Sequence, residues 1–217
     1  MKRPFVIVSY AQSLDGSIAF KTRKPMNLSG PASMRLTHQI RAFCDAILIG
    51  IETVLCDNPR LTVRLVNGPN PQPVILDTHL RMPLNAELTR RSGRQAWIAS
   101  SRHHQAVRRE EMNRAGARVL SCEVAADGRI DLNHLMPILA ESGINSLMVE
   151  GGARVITGFI NSRLVDLFIV TISPRMVGGL PVIDSGGIRN GFRLMLENVH
   201  YQPLENDLIL WARPAWT

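Results

Sequence analysis

The stretch SLMVEGGARVITGFINSRLVD, residues 146–166, decides how this chain is read. It opens as an apolar run of strand length that ends in a carboxylate, Glu150, and two glycines follow at once. Apolar residues then resume at Val155, Ile156, Phe159, Ile160 and Leu164, close to helical spacing. Strand, corner and helix in succession belong to a β-α-β unit, and in sheets of such units ligands bind beyond the carboxyl ends of the strands. One glycine would turn the corner. Two, Gly151 and Gly152, let a phosphate or ribose approach the main chain closely. The helix start that follows offers free N–H groups and a positive dipole end, and Arg154 can add a cation. The same residues also fit a plain strand–helix turn, because the pattern is neither GxGxxG nor a Walker-type GxxxxGK[ST].

Outward from the corner, apolar runs of strand length recur: FVIVSYA (5–11), DAILIG (45–50), PVILD (73–77), QAWIAS (95–100), ARVLSC (117–122) and DLFIVTIS (166–173). FRLMLENV (192–199) and LILWARP (208–214) close the series. Most are rich in Val and Ile and apolar on both faces, as suits strands buried between helices. Helical candidates lie between several of them. PASMRLTHQIRAF opens with Pro31 and Ser33, QAVRREEMNRAG stops at Gly116, and LNHLMPILAES contains Pro137, which places its first turn near that proline. The stretch 64–73 is richest in turn residues and reads as an exposed loop. The order predicts an α/β fold with a mostly parallel central sheet flanked by helices and antiparallel strands added at the C-terminal end. No linker composition divides the 217 residues, so a single domain over 1–217 is expected.

Composition narrows the function. The chain is 45% apolar, and its apolar runs are too short and too interrupted for a membrane-spanning helix. MKRPFVIVSY reads as a buried first strand rather than a signal peptide. The three cysteines, Cys44, Cys56 and Cys122, lack disulfide or zinc spacing, which suits reduced thiols in the cytoplasm. The six histidines have no ligand spacing; His103 and His104 read as a helix entrance, and no metal site is expected. A net charge of +7 attracts phosphorylated ligands. Aromatics are only 5% and Lys/Arg are scattered, which argues against nucleic acid as the partner.

Two further stretches concentrate polar groups past strand ends. YAQSLDGSIA (10–19) leaves a strand and turns at Asp15 and Gly16. RAFCDAILIGIETVLCDNPRLTVR (41–64) places Arg41 at a helix end, then a strand, then Thr53, Asp57, Asn58 and Arg64. Singly, Thr53 and Asp57 can serve as caps and Arg64 as a solvated cation. Their clustering is harder to explain that way.

AQSLDGSIA, RAFCDAILIGIETVLCDNPRLTVR, PVILD and VEGGARVITGFI, in this order and spacing, resemble the riboflavin-biosynthesis pyrimidine reductase family. This is the reductase domain that is fused to a deaminase in many bacteria and stands alone in fungi and archaea. The resemblance covers nearly the whole chain. It implies a dihydrofolate-reductase-like fold, NADPH as hydride donor and a homodimer. The implied reaction reduces a ribosylamino-pyrimidine 5′-phosphate to its ribitylamino form: the glycosylamine opens to an imine, and C1′ accepts hydride. Carried over by position, the resemblance implies cofactor contacts at Ala11, Thr53, Asp57 and the corner Gly151, Gly152, Ala153, Arg154, Val155, Ile156, Thr157 and Gly158. It implies substrate contacts at Arg41, Leu61, Arg64 and Glu150. Arg41 and Arg64 would hold phosphate or ribose oxygens. Glu150 would bind pyrimidine or sugar and relay a proton, with Asp57 a second catalytic candidate.

Two positions depart from the family pattern. Deaminase-fused members often carry a lysine four residues before the Ser of SLDG, where this chain has Ser9. Lysine only donates hydrogen bonds, whereas serine donates or accepts, which favours a 2,5-diamino-pyrimidinone over an amino-uracil. Where many members have an aromatic, MNLSGP places Asn27. No HxE…PCxxC zinc-deaminase signature is present in the sequence. Two other readings fit the same residues: a reductase of this fold acting on another pterin or heterocycle, and a non-catalytic nucleotide- or RNA-binding protein.

Overall fold

The computed structural model describes residues 2–21, 26–90, 94–103, 106–184 and 194–216. The chain begins with β1 (Phe5–Ser13), short β2 (Ser17–Ala19), α1 (Pro31–Phe43), β3 (Ala46–Gly50) and α2 (Ile51–Asp57). It continues through β4 (Gln72–Leu76), β5 (Ala96–Ser101), α3 (Ala106–Arg114), β6 (Ala117–Cys122) and α4 (Leu132–Glu141). It ends with β7 (Ser146–Val149), α5 (Ala153–Asn161), β8 (Leu167–Ser173), β9 (Leu180–Pro181) and the hairpin of β10 (Leu194–Leu204) and β11 (Asp207–Trp216). Among the described residues, nine strands form one sheet in the order β10-β11-β8-β1-β7-β3-β4-β5-β6, while β2 and β9 pair separately. From β8 to β6 every pairing is parallel. The hairpin adds antiparallel to β8.

Strand alternation explains why these runs are apolar throughout. Val6, Val8, Ala46, Leu48, Leu147 and Val149 point to one face, under Leu135 and Leu139 of α4 and Ile156 and Phe159 of α5. Ile47 and Ile49 point to the other, against Val54 of α2 and Met112 of α3. On that second face Ile7, Met148, Ile169 and Ile209 lie under Ile40 of α1. Each fully buried large apolar side chain contributes about 1.5–3 kcal/mol. Phe159 and Ile156, both 0% exposed, thereby anchor the helix that follows the glycine corner.

α1 starts with Pro31 in its first turn and has no capping side chain of its own. Asp207, the first residue of β11, supplies the cap: its Oδ2 accepts from Gly30 N at 2.8 Å and from Ser33 Oγ at 2.6 Å. A carboxylate suits a helix start. Gly116, at φ +92°, follows α3 as its expected stop. His103 precedes α3, and His104 lies outside the described residues. Pro137 does not mark a first turn. It sits inside α4, which begins at Leu132 because Asp131 caps it, accepting from Asn133 N at 2.9 Å. Buried Leu132, Leu135, Met136 and Leu139 outweigh the missing N–H of Pro137.

Candidate active site

Parallel pairing sets Val149, the end of β7, beside Val8 of β1 and Leu48 of β3, while β1 runs on to Ser13 along β8. Glu150 N donates to Leu48 O at 3.0 Å, so β7 stays paired with β3 up to the corner. Glu150 then shares the α1 side of the sheet with Met148, two residues before it. α1 crosses that side with Arg41 in its last turn. Arg41 Nε and Nη2 donate to Glu150 Oε1 and Oε2, each at 2.6 Å, a fork-to-fork ion pair between side chains only 12% and 16% exposed. Arg41 Nη1 also donates to Thr62 O at 3.3 Å. The two residues assigned separately to substrate thus bind each other.

The loop after α2 lies against this pair. Asn58 ends α2 in the left-handed region at φ 41°, and Leu61 is left-handed at φ 51°, an uncommon conformation for a residue of its bulk. Leu61 is held there by burying its side chain among Ile49, Val54 and Ile75. Arg64 is exposed and donates to Thr62 Oγ1 at 2.9 Å; among the described residues it has no carboxylate within ion-pair distance. Arg64 N donates to Nδ1 of His38, a fully buried ring one turn before Arg41 on α1. Burial first, then Arg41 and Arg64, holds the His38 pKa below its ordinary value, with Glu150 acting the other way. His38 was absent from the residues chosen by sequence. Its place three residues before Arg41 in a helix was the available signal.

The two corner glycines do different things. A Cβ on Gly151 would stand 2.4 Å from Val155 Cβ and 2.5 Å from its Cγ1, and one on Gly50 would stand 2.9 Å from its Cγ2. Val155 is therefore a wedge between the ends of β3 and β7, and the fold itself requires Gly151. Among the described residues, nothing lies within 4 Å of the Cβ position of Gly152. It is the N-cap of α5 and provides no side-chain cap, leaving the first N–H groups of the helix without intrahelical partners. An open, uncapped helix start fits the phosphate groups of a dinucleotide.

Around it, Arg154 Nε lies 3.9 Å from Asp184 Oδ2, a loose surface pair. Thr157 is buried, and its Oγ1 accepts from Asp184 N at 2.9 Å. Ile156 is core and Gly158 packs near Leu132. Thr53 and Asp57, four residues apart on α2, share one helix face. Asp57 is its last residue, and partial desolvation raises its carboxyl pKa. Ala11 is half-buried on β1, opposite Thr171 of β8. Arg102, at the end of β5, is engaged by Glu123 at 2.8 Å and His134 at 3.1 Å. Among the described residues, no three His, Cys, Asp or Glu side chains are grouped to hold a metal ion.

Asp15 explains the SLDG turn. Its carboxylate accepts from Ser13 Oγ at 2.5 Å, Ser17 Oγ at 2.8 Å, and the N–H groups of Val177 and Gly178 at 2.9 and 2.8 Å. Those bonds, led by Ser13, hold its pKa well below the usual carboxylate range. It ties the end of β1 to the segment after β8.

A mainly parallel sheet with an antiparallel C-terminal hairpin and an open helix start at its central strand ends defines the dihydrofolate-reductase-like class. Dihydrofolate reductase from Enterococcus faecalis shares that fold at TM-score 0.51 and 13% identity, each chain covered over 98%. The chain belongs to the family described as the RibD C-terminal domain, whose model matches residues 4–210. It is 36% identical over 187 residues to the 2,5-diamino-6-ribosylamino-4(3H)-pyrimidinone 5′-phosphate reductase of Archaeoglobus fulgidus, covering 82% of this chain and 83% of that one. It is 36% identical over 222 residues to the protein of the same name from Methanothermobacter thermautotrophicus, with 96% and 97% covered. Among solved structures, the riboflavin biosynthesis reductase Rib7 of Saccharomyces cerevisiae superposes at TM-score 0.78 and 27% identity, over 98% of this chain and 90% of that one.

Proposed function

We propose that this chain is an NADPH-dependent reductase of riboflavin biosynthesis that converts 2,5-diamino-6-ribosylamino-4(3H)-pyrimidinone 5′-phosphate to its ribitylamino form. One juxtaposition carries the reading: the open, uncapped helix start at Gly152 lies two residues from Glu150, itself aimed by Arg41. An anion seat and a carboxylate thus face one corner. When bound, the reduced nicotinamide supplies a hydride to C1′ of the sugar.

The chain's own residues divide the remaining work. Gly152 and the start of α5 seat the cofactor phosphates, with Arg154, Thr53 and Asp57 as flanking polar contacts and Ala11 as a β1 contact. Glu150 accepts hydrogen bonds from pyrimidine or sugar and relays the proton that completes reduction. Arg41 orients Glu150, since its fork is occupied by that carboxylate. Arg64, without a carboxylate partner among the described residues, takes the 5′-phosphate. Leu61 shapes the loop that carries it.

Ser9 supports the diamino substrate. The β1–β7 register ends at Val8 and Val149, the residues that immediately precede Ser9 and Glu150. A hydroxyl there can accept from an exocyclic amine. Relatives named for the diamino compound point the same way.

A homodimer suits the edge strand β10, which exposes Met195, Val199 and Tyr201. A cytoplasmic location suits three free thiols. No helix among the described residues is long and apolar enough to cross a membrane.

The test mixes purified protein and NADPH separately with the diamino-pyrimidinone and the amino-uracil phosphates and follows the nicotinamide absorbance. Faster loss with the diamino compound is expected. No loss with either compound refutes the reductase reading, and faster loss with the amino-uracil refutes the role given to Ser9.

A further inference from the structure

The His38 ring sits at the junction of everything the site needs to hold still. It is 0% exposed, and its Nδ1 accepts the N–H of Arg64 at 2.9 Å. A ring that accepts on Nδ1 is neutral and carries its proton on Nε2. Among the described residues, that buried Nε2 has no hydrogen-bond partner. An apolar side chain at this position would avoid the unmet donor but would leave Arg64 N without its acceptor.

The gain is in the loop. Residues 58–64 form no helix or strand and contain two left-handed residues, Asn58 and Leu61. α1 grips the end of this loop twice, through Arg41 Nη1 on Thr62 O and through His38 Nδ1 on Arg64 N. The same helix aims Glu150 through Arg41. One rigid element therefore sets the loop arginine and the carboxylate against each other.

We propose that His38 is a positioning residue: by accepting the Arg64 N–H it sets where the Arg64 guanidinium stands relative to Glu150, and proton uptake on Nδ1 releases that loop. This rests on Arg64 as the seat of the substrate phosphate. Three charged groups act on the ring: Arg41 from α1, Arg64 from the loop and Glu150 from the end of β7. Burial and the two arginines keep the proton off at neutral pH, Glu150 opposing them. In acid the ring gains a donor where it needs an acceptor, and Arg64 N loses its partner.

The experiment compares wild type, His38→Leu, His38→Asn and Arg64→Ala. It measures KM for the diamino-ribosylamino-pyrimidinone 5′-phosphate, KM for NADPH and the pH dependence of the former. Asparagine places an oxygen near the Nδ1 position and does not titrate. His38→Leu should raise the substrate KM by about tenfold or more, with NADPH KM within about twofold, and His38→Asn should restore most of the loss. As pH falls below the ordinary imidazole range, the wild-type substrate KM should rise more steeply than that of His38→Asn, which keeps only the titration of the substrate phosphate itself. If the leucine variant fails to fold, the pH comparison of wild type with His38→Asn decides alone. An unchanged substrate KM in His38→Leu, or equal pH profiles in wild type and His38→Asn, overturns the proposal while Arg64→Ala still weakens substrate. An unchanged KM in Arg64→Ala overturns the phosphate seat and this inference with it.

Discussion

Adding one methyl group at Gly151 and at Gly152 should produce opposite failures. In Gly151→Ala the new Cβ lies 2.4 Å from Val155 Cβ and 2.5 Å from Cγ1. The obstacle is the root of a side chain fixed to a helix, so the corner must shift. Overpacking of this kind costs about 1–3 kcal/mol, and the short Cβ contact argues for the upper end. A protein of this size loses about 2–4 °C in Tm per kcal/mol, so Gly151→Ala should melt about 6–12 °C lower. Adding Val155→Ala should not rescue it, because the 2.4 Å contact is with Cβ, which alanine keeps. The same second change should rescue Gly50→Ala, whose contact at 2.9 Å is with Cγ2. In Gly152→Ala the methyl meets no atom of the described residues within 4 Å, and φ −72°, ψ 177° is ordinary for alanine. Only the difference between glycine and alanine as N-caps remains, about 1 kcal/mol or less. The space it fills is the one assigned to the cofactor, so NADPH affinity should fall at least about tenfold, equivalent to about 1.4 kcal/mol. Thermal unfolding and a fluorescence titration with NADPH read the two effects separately. An NADPH Kd for Gly152→Ala within about twofold of wild type would refute the cofactor seat, and an unchanged Tm in Gly151→Ala would refute the wedge.

Glu150→Gln should bind NADPH normally and lose turnover; undiminished turnover removes Glu150 from any proton relay. Arg41→Met leaves the Glu150 carboxylate half-buried and unpaired, a change of about 3–5 kcal/mol, and the double variant with Glu150→Gln should melt higher than Arg41→Met alone. Asp15 has a folded pKa below its unfolded value near 3.9, so its contribution is present above that pH and is lost as pH falls through the folded value. Asp15→Asn should therefore flatten the fall of urea midpoints in acid between about pH 5 and pH 2; a slope equal to wild type counts against the four-bond network. Burial raises the thiol pKa of Cys44 to about 12 and of Cys122 to about 11, while Cys56 is exposed, so a thiol reagent at pH 8 should label Cys56 first. Labelling of Cys44 at a comparable rate in the native protein would show that its burial is wrongly assigned.

The elements themselves were legible because their signals are local. AILIG (46–50) and SLMV (146–149) announce buried strands by their residues alone, and Gly116 and Pro31 mark helix limits. Pro137 misled, because a cap at Asp131 and a buried helix face outweigh one missing hydrogen bond. The hairpin of β10 and β11 ran longer than its apolar cores suggested, since pairing extends through polar residues such as Gln202 and Asp207. Of the site, the corner at Gly152, Arg41, Arg64 and Glu150 were singled out by type and position, yet nothing local told that Arg41 and Glu150 hold one another across 109 residues.

Hydrophobic patterning along the chain, which depends only on neighbours a few residues apart, was enough for the α/β class and the parallel sheet with its antiparallel end. Strand order, the wedge of Val155 between Gly50 and Gly151, the buried ring of His38 and the pairing of Arg41 with Glu150 were decided only in three dimensions. Each depends on which distant segments the sheet sets side by side, and that adjacency is a property of packing rather than of any stretch of sequence.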